Sequence, residues 1–120
     1  MKRKPSVLII DDDPAHLRIY GWIVEAAGYG ALTVVVRSAA IELPAESVDA
    51  VLLDYNLPGL TTAVEIAKTV QSRLPNVPIL VLSDALFLPD DIAPLVQGFV
   101  RKGDPARLVE KLHTMLPLST

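Results

Sequence analysis

A chain of 120 residues is long enough for one domain with one core. At 51% hydrophobic residues and a mean hydropathy of +0.40, it is too apolar for a disordered segment. The net charge is −3, and no basic tract lies beyond Met1-Lys2-Arg3-Lys4, so nothing suggests a nucleic-acid-binding face. Cysteine is absent, which excludes disulfide frameworks and thiolate zinc sites. His16 and His113 lie far apart and carry no metal-ligand spacing. No apolar run reaches transmembrane length and no signal peptide precedes the first strand, so a cytoplasmic protein without membrane contact is expected.

Five short apolar runs recur: Val7–Ile10, Ala31–Val36, Ala50–Leu53, Ile79–Leu82 and Gly98–Val100. Runs of this kind read as strands buried on both faces of a parallel sheet. After the first, Leu17, Tyr20, Val24 and Ala27 fall on one face of a helix. Asp13-Pro14 supplies its N-cap and first residue, and Gly28 or Gly30 ends it. After the second run, Ser38–Glu46 starts as a helix but is cut by Pro44. After the third, a helix begins near Thr62, with Glu65 completing a capping box, and runs through Ile66, Val70 and Leu74 to Pro75. After the fourth, Ala85–Gln97 contains Pro89 and Pro94, leaving room for about two turns of helix. The second and fourth helices should therefore be short or irregular. A last helix opens at Asp104-Pro105 and carries Leu108, Val109, Leu112 and Leu116. Strand alternating with helix means an α/β domain with right-handed crossovers.

The polar residues of interest lie at or just after the carboxyl ends of these strands: Asp11-Asp12-Asp13, Asp54, Ser83 with Asp84, and Lys102. In an open parallel sheet those ends share one edge, where ligands bind. Each residue has an ordinary reading. Asp13 before Pro14 is most simply a helix cap, Asp54 or Ser83 a turn residue, and Lys102 a solvated charge. Together they supply paired acids, a further acid, a hydroxyl and a lysine at one edge. Packed carboxylates repel unless something offsets them, and Mg²⁺, which prefers oxygen ligands, is the natural candidate. The set suits phosphoryl chemistry: acids hold the ion, another carboxylate acts as nucleophile, and hydroxyl and ammonium receive phosphate oxygens.

Four segments carry a resemblance over essentially the full length: Val7–Pro14, Val51–Gly59, Pro78–Ser83 and Gly98–Lys102. With their order and spacing, the chain resembles a CheY-like response-regulator receiver domain of two-component signalling. The resemblance implies a doubly wound, flavodoxin-like (βα)5 fold with strand order 2-1-3-4-5, and one domain over residues 1–120. It implies Asp54 as phosphoacceptor and Mg²⁺ held by Asp11, Asp12, Asp54 and the Asn56 backbone carbonyl, Asp12 directly and Asp11 largely through water. Ser83 and Lys102 would bind the phosphoryl group, and Ser83 and Phe99 would form the switch. A histidine kinase or phosphotransfer protein would be the phosphodonor. The domain would assist only its own phosphorylation and dephosphorylation. With no output domain after the last helix, a stand-alone receiver would act on a downstream protein target.

Departures from the family pattern are local. Asp84 stands where a small residue is usual, and would narrow access to Asp54 and slow phosphotransfer, or join the ion site. Gly103 replaces the common proline after the lysine, so that loop should be freer. Pro58-Gly59-Leu60-Thr61-Thr62 lacks the usual glycine before the third helix. The fourth crossover is short, and Ala85-Leu86-Phe87-Leu88 should pack into the resulting gap; the other reading is an exposed apolar patch suited to a partner or a homodimer contact. Two other functions compete. A phosphorylation-independent pseudo-receiver would signal by binding alone. A haloacid-dehalogenase-type phosphatase would use Asp11-x-Asp13, Ser83, Lys102 and Asp90-Asp91, but its acidic pair should follow the lysine and Asp54 would have no role.

Overall fold

The computed structural model describes residues 3–37, 41–44, 46–57 and 62–118. Five strands, β1 (Ser6–Asp11), β2 (Gly30–Val35), β3 (Ala50–Asp54), β4 (Ile79–Ser83) and β5 (Gly98–Arg101), form one parallel sheet in the order β2-β1-β3-β4-β5. Helices α1 (Pro14–Ala26), α2 (Ala63–Arg73) and α3 (Pro105–Met115) lie between and after them. The sheet therefore has the predicted order.

Alternation along the strands divides the core. Leu8, Ile10, Val51, Leu53, Ile79 and Val81 point to one face, where they meet Ala63, Ile66, Ala67 and Val70 of α2. Val7, Ile9, Leu52, Leu80, Leu82 and Val100 point to the other, against Leu17 and Val24 of α1 and Leu108 and Leu112 of α3. Because successive side chains alternate, covering both faces requires unbroken apolar strands, and the central three have them. Register follows from this: a one-residue slip would exchange the residues that α2 and α1/α3 cover.

Caps fix where the helices start. The Asp13 carboxylate accepts the Ala15 N–H at 2.9 Å, Thr62 Oγ1 accepts that of Glu65 at 3.2 Å, and Asp104 accepts that of Arg107 at 3.1 Å. Past the end of α1, Gly28 takes φ +107°, a conformation that favours glycine.

The two weak crossovers differ from each other. Ser38–Ala40, where the second helix should start, lie outside the described residues, as do Pro58–Thr61. Ile41–Pro44 are not helical, yet Ile41 is buried in the core and Leu43 packs against it. In the fourth crossover, turns starting at Pro89 lead into a single 3-10 turn, Ala93–Leu95, so the fourth helix is short and irregular as expected, shorter than the two turns the segment has room for. Pro94 sits inside that turn and has no N–H to extend it, while fully buried Ile92 anchors the segment. The Ala85–Leu88 expectation is corrected. Leu88 packs against the core, but Leu86 and Phe87 are 67% and 81% exposed, so the apolar pair faces solvent. No helix among the described residues is long and apolar enough to cross a membrane.

Candidate functional site

Asp11, Asp54 and Ser83 are the final residues of β1, β3 and β4, one position earlier than loop placement would put them. They are 1%, 3% and 2% exposed, and each follows an unbroken apolar run of its strand. Each is fixed by the same local bond. Asp11 Oδ1 accepts the Asp13 N–H, Asp54 Oδ1 that of Asn56, and Ser83 Oγ that of Ala85, all at 3.1 Å. Asp and Ser side chains form such i to i+2 turns readily, so one motif ends three adjacent strands and orients three polar groups at one edge.

Lys102 supplies the opposing charge. Its N–H donates to the Ser83 carbonyl at 2.8 Å, anchoring the residue beside β4, and its Nζ lies 2.7 Å from Asp54 Oδ1. Burial alone would lower the ammonium's pKa. The bond to Asp54 and the charges of Asp54, Asp84 and Asp11 outweigh this and hold it above its ordinary value. Among the described residues Asp11 has no lysine or arginine partner, only the half-exposed imidazole of His16 at 3.4 Å. Burial first, then the neighbouring Asp12 and Asp54 carboxylates, push Asp11 up to about 7 despite the Asp13 amide bond. The following Gly103 has φ +82°, a left-handed backbone that the expected freer loop did not foresee.

Asp12, Asp13, His16, Asp54, Asn56, Leu57 and Lys102 line an open cleft of about 510 Å³, with Asp11 adjoining it. An enclosed carboxylate whose charged form is disfavoured, beside two more acids and a single lysine, is the donor set a hard divalent cation would satisfy. Asp11 and Asp54 thus form a candidate cation site at the edge of this cleft.

The structure brings Asp12, Asp54, Asn56 and Lys102 together at the cleft, with Asp11 against them. Ser83 lies one residue past Leu82, the register partner of Asp54. Phe99 is half-buried on β5, paired with Val81 and set back from the cleft along the strand. Asp13 is the α1 cap. Asp84 is exposed, with Oδ2 3.4 Å from Asn56 Nδ2, so it flanks the site without lining the cleft. Asp91 accepts the Tyr55 hydroxyl at 2.9 and 3.0 Å and is not a cleft residue, which leaves the phosphatase pattern unassembled.

His16 was missed. Its Nδ1 lies 3.4 Å from Asp11 Oδ2 and its Nε2 3.6 Å from Asp13 Oδ2. Spacing between the two histidines could not reveal this. The available signal was the interval from Asp13 to His16, which places the imidazole one helical turn above the acids.

Solved structures that share this fold include two response regulators. The response regulator TrrA of Thermotoga maritima, solved in complex with Mg(2+)-BeF, superposes with a TM-score of 0.79 at 20% identity, covering 93% of this chain and 99% of that one. Chemotaxis protein CheY4 of Vibrio cholerae gives 0.75 at 22%, covering 94% and 99%. Residues 7–113 match the sequence model of the response regulator receiver domain, and the chain belongs to that family. Transcriptional regulatory protein GlrR of Escherichia coli K12 is 28% identical over 100 residues, 82% of this chain and 22% of GlrR. The chain thus spans about a fifth of the length of the curated relatives it matches. Receiver domains are signalling modules that bind Mg²⁺ at an acidic pocket, are phosphorylated by histidine kinases and interact with downstream effectors. The cluster around Asp11 and Asp54 fits the phosphoacceptor site of such a domain.

Proposed function

We propose that residues 1–120 act as one cytoplasmic receiver domain whose Asp54 accepts a phosphoryl group in a Mg²⁺-dependent reaction. The donor is a phosphohistidine on a histidine kinase or phosphotransfer protein. The observation that carries this reading is Asp54 itself: a buried strand-end carboxylate, oriented by the Asn56 amide and neutralised by Lys102 at 2.7 Å, beside an open cleft.

In the transfer an Asp54 oxygen attacks phosphorus, the phosphorus–nitrogen bond breaks and the imidazole leaves. Asp11, Asp12, Asp54 and the Asn56 carbonyl would hold Mg²⁺, which would supply charge neutralisation for the phosphoryl oxygens. Lys102 shifts from the free carboxylate to a phosphoryl oxygen. The Ser83 hydroxyl accepts the Ala85 N–H and keeps its own proton to donate to another. Exposed Ile19 on α1, which with His16 and Tyr20 helps to line an apolar groove of about 220 Å³, gives a donor protein a surface next to the cleft.

The switch follows from differential contact. New bonds from Ser83 and Lys102 exist only in the phosphorylated state and favour the arrangement of the β4–β5 connection that permits them. Phe99, half-buried beside that connection, turns inward as it moves, changing the surface read by a downstream protein partner. Neither nucleic acid nor membrane is engaged through this domain.

Asp84 supports a second reading, a pseudo-receiver that binds without phosphorylation, because its carboxylate flanks the approach to Asp54. Beryllofluoride with Mg²⁺ separates the two. The phosphoacceptor reading expects NMR shifts at Ser83, Lys102 and Phe99 that require both reagents. A spectrum unchanged by their addition favours the pseudo-receiver.

A further inference from the structure

We infer that His16, with Asp11 and Asp54, gives the cleft a second coordination mode, which takes Zn²⁺ in place of Mg²⁺ and withholds Asp54 from phosphorylation. This rests on the reading of the cleft as a cation site and of Asp54 as phosphoacceptor.

The geometry is close to what such an ion needs. One ligand atom from each of Asp11, His16 and Asp54 lies within 4.8 Å of the others. Zinc binds imidazole nitrogen and carboxylate oxygen at about 2.0–2.2 Å in a tetrahedron, which separates neighbouring donor atoms by about 3.3 Å. His16 Nδ1 stands 3.4 Å from Asp11 Oδ2. The backbone amides of Asp13 and Asn56 hold the two carboxylates in place, so the groups that must adjust are the Lys102 ammonium, now 2.7 Å from Asp54 Oδ1, and the imidazole, which is half-exposed at the capped start of α1. The opposite nitrogen, Nε2, lies 3.6 Å from Asp13 Oδ2. That is too long for a hydrogen bond, but it is the side from which a carboxylate orients a metal-bound imidazole.

The chemistry selects the ion. Mg²⁺ takes oxygen ligands and an octahedral shell, and gains nothing from a ring nitrogen. Imidazole suits zinc and copper, and a mixed nitrogen and oxygen set with three protein ligands leaves a fourth position open to water. The same two carboxylates serve either ion, so occupancy is exclusive. With Zn²⁺ bound, the Mg²⁺ on which transfer to Asp54 depends is displaced.

The test uses the full chain and its His16→Leu variant. Calorimetry measures Zn²⁺ and Mg²⁺ binding separately, and acetyl phosphate labelling in Mg²⁺ is followed as Zn²⁺ is added. Wild type should bind Zn²⁺ at least about a hundredfold more tightly than Mg²⁺ and lose labelling as Zn²⁺ rises. His16→Leu should lose about tenfold or more of its Zn²⁺ affinity, keep its Mg²⁺ affinity and label in the presence of Zn²⁺. NMR of the wild-type imidazoles needs no variant: Zn²⁺ should move the His16 ring signals and leave those of His113 in place. An unmoved His16 ring, or equal Zn²⁺ affinity in the two proteins, overturns the inference. If Mg²⁺ binds and Asp54 labels while His16 is silent, only the zinc mode fails. If neither ion binds and no label appears, the phosphoacceptor reading falls with it.

Discussion

Asp11 and Asp54 are enclosed to a similar degree, yet their charges are balanced differently. Asp54 has Lys102 at 2.7 Å; Asp11 has the carboxylates of Asp12 and Asp54 beside it, one backbone amide in its favour and the half-exposed His16 imidazole at 3.4 Å. Without metal, the folded protein therefore holds the Asp11 proton to about pH 7, whereas an exposed aspartate releases it near 3.8. Between those values the folded state binds more protons than the unfolded chain, so stability falls as pH rises. Asp49, which Arg3 holds below its ordinary value, acts in the opposite sense but at lower pH. Lys102 and the three tyrosines with raised values titrate above the window. In a chelator, the urea midpoint of wild type should be lower at about pH 8 than at about pH 5, and Asp11→Asn should abolish most of the difference. A wild-type midpoint that rises over this range would show that Asp11 is not held protonated.

The strands were legible because their apolar runs are unbroken, and the helix starts because Asp13-Pro14, Thr62 and Asp104-Pro105 are strong local caps. The fourth crossover was legible only in part: its prolines predict a short, irregular helix, as found, without saying what replaces it. Leu86 and Phe87 show the same difficulty from the other side: hydrophobicity favoured packing, but the compact turns from Pro89 to Leu95, held by Ile92 and Leu88, leave them outside. The site was legible where residues sit at strand ends, as with Asp54, and hidden where it depends on a helical turn, as with His16. Within α2 the same logic sets magnitudes. Thr62→Ala removes one capping bond at the exposed end of the helix and should destabilise by about 1 kcal/mol. Ile66→Ala empties a fully buried position between α2 and the sheet and should cost about 2–5 kcal/mol. Equal losses in urea titrations of the two variants would mean that packing does not dominate the stability of α2.

Across the molecule, both faces of the sheet are covered, and the strand ends are where acids, hydroxyl and lysine from four different strands or their extensions converge. A cation bound there ties β1 to β3 and stabilises the fold only while the acids are present. At tenfold the dissociation constant, Mg²⁺ should raise wild-type stability by about 1.4 kcal/mol at neutral pH, and do so much less for Asp11→Asn. Equal stabilisation of both, read as the shift in thermal midpoint, would place the ion elsewhere. Everything proposed for the cleft depends on Asp54 carrying the phosphoryl group. The most direct measurement is transfer of radiolabelled phosphate, in Mg²⁺, to wild type and to Asp54→Ala. Label on wild type alone, lost when Mg²⁺ is chelated, is the expected result. Equal labelling of both proteins would contradict it and remove Asp54 from that role.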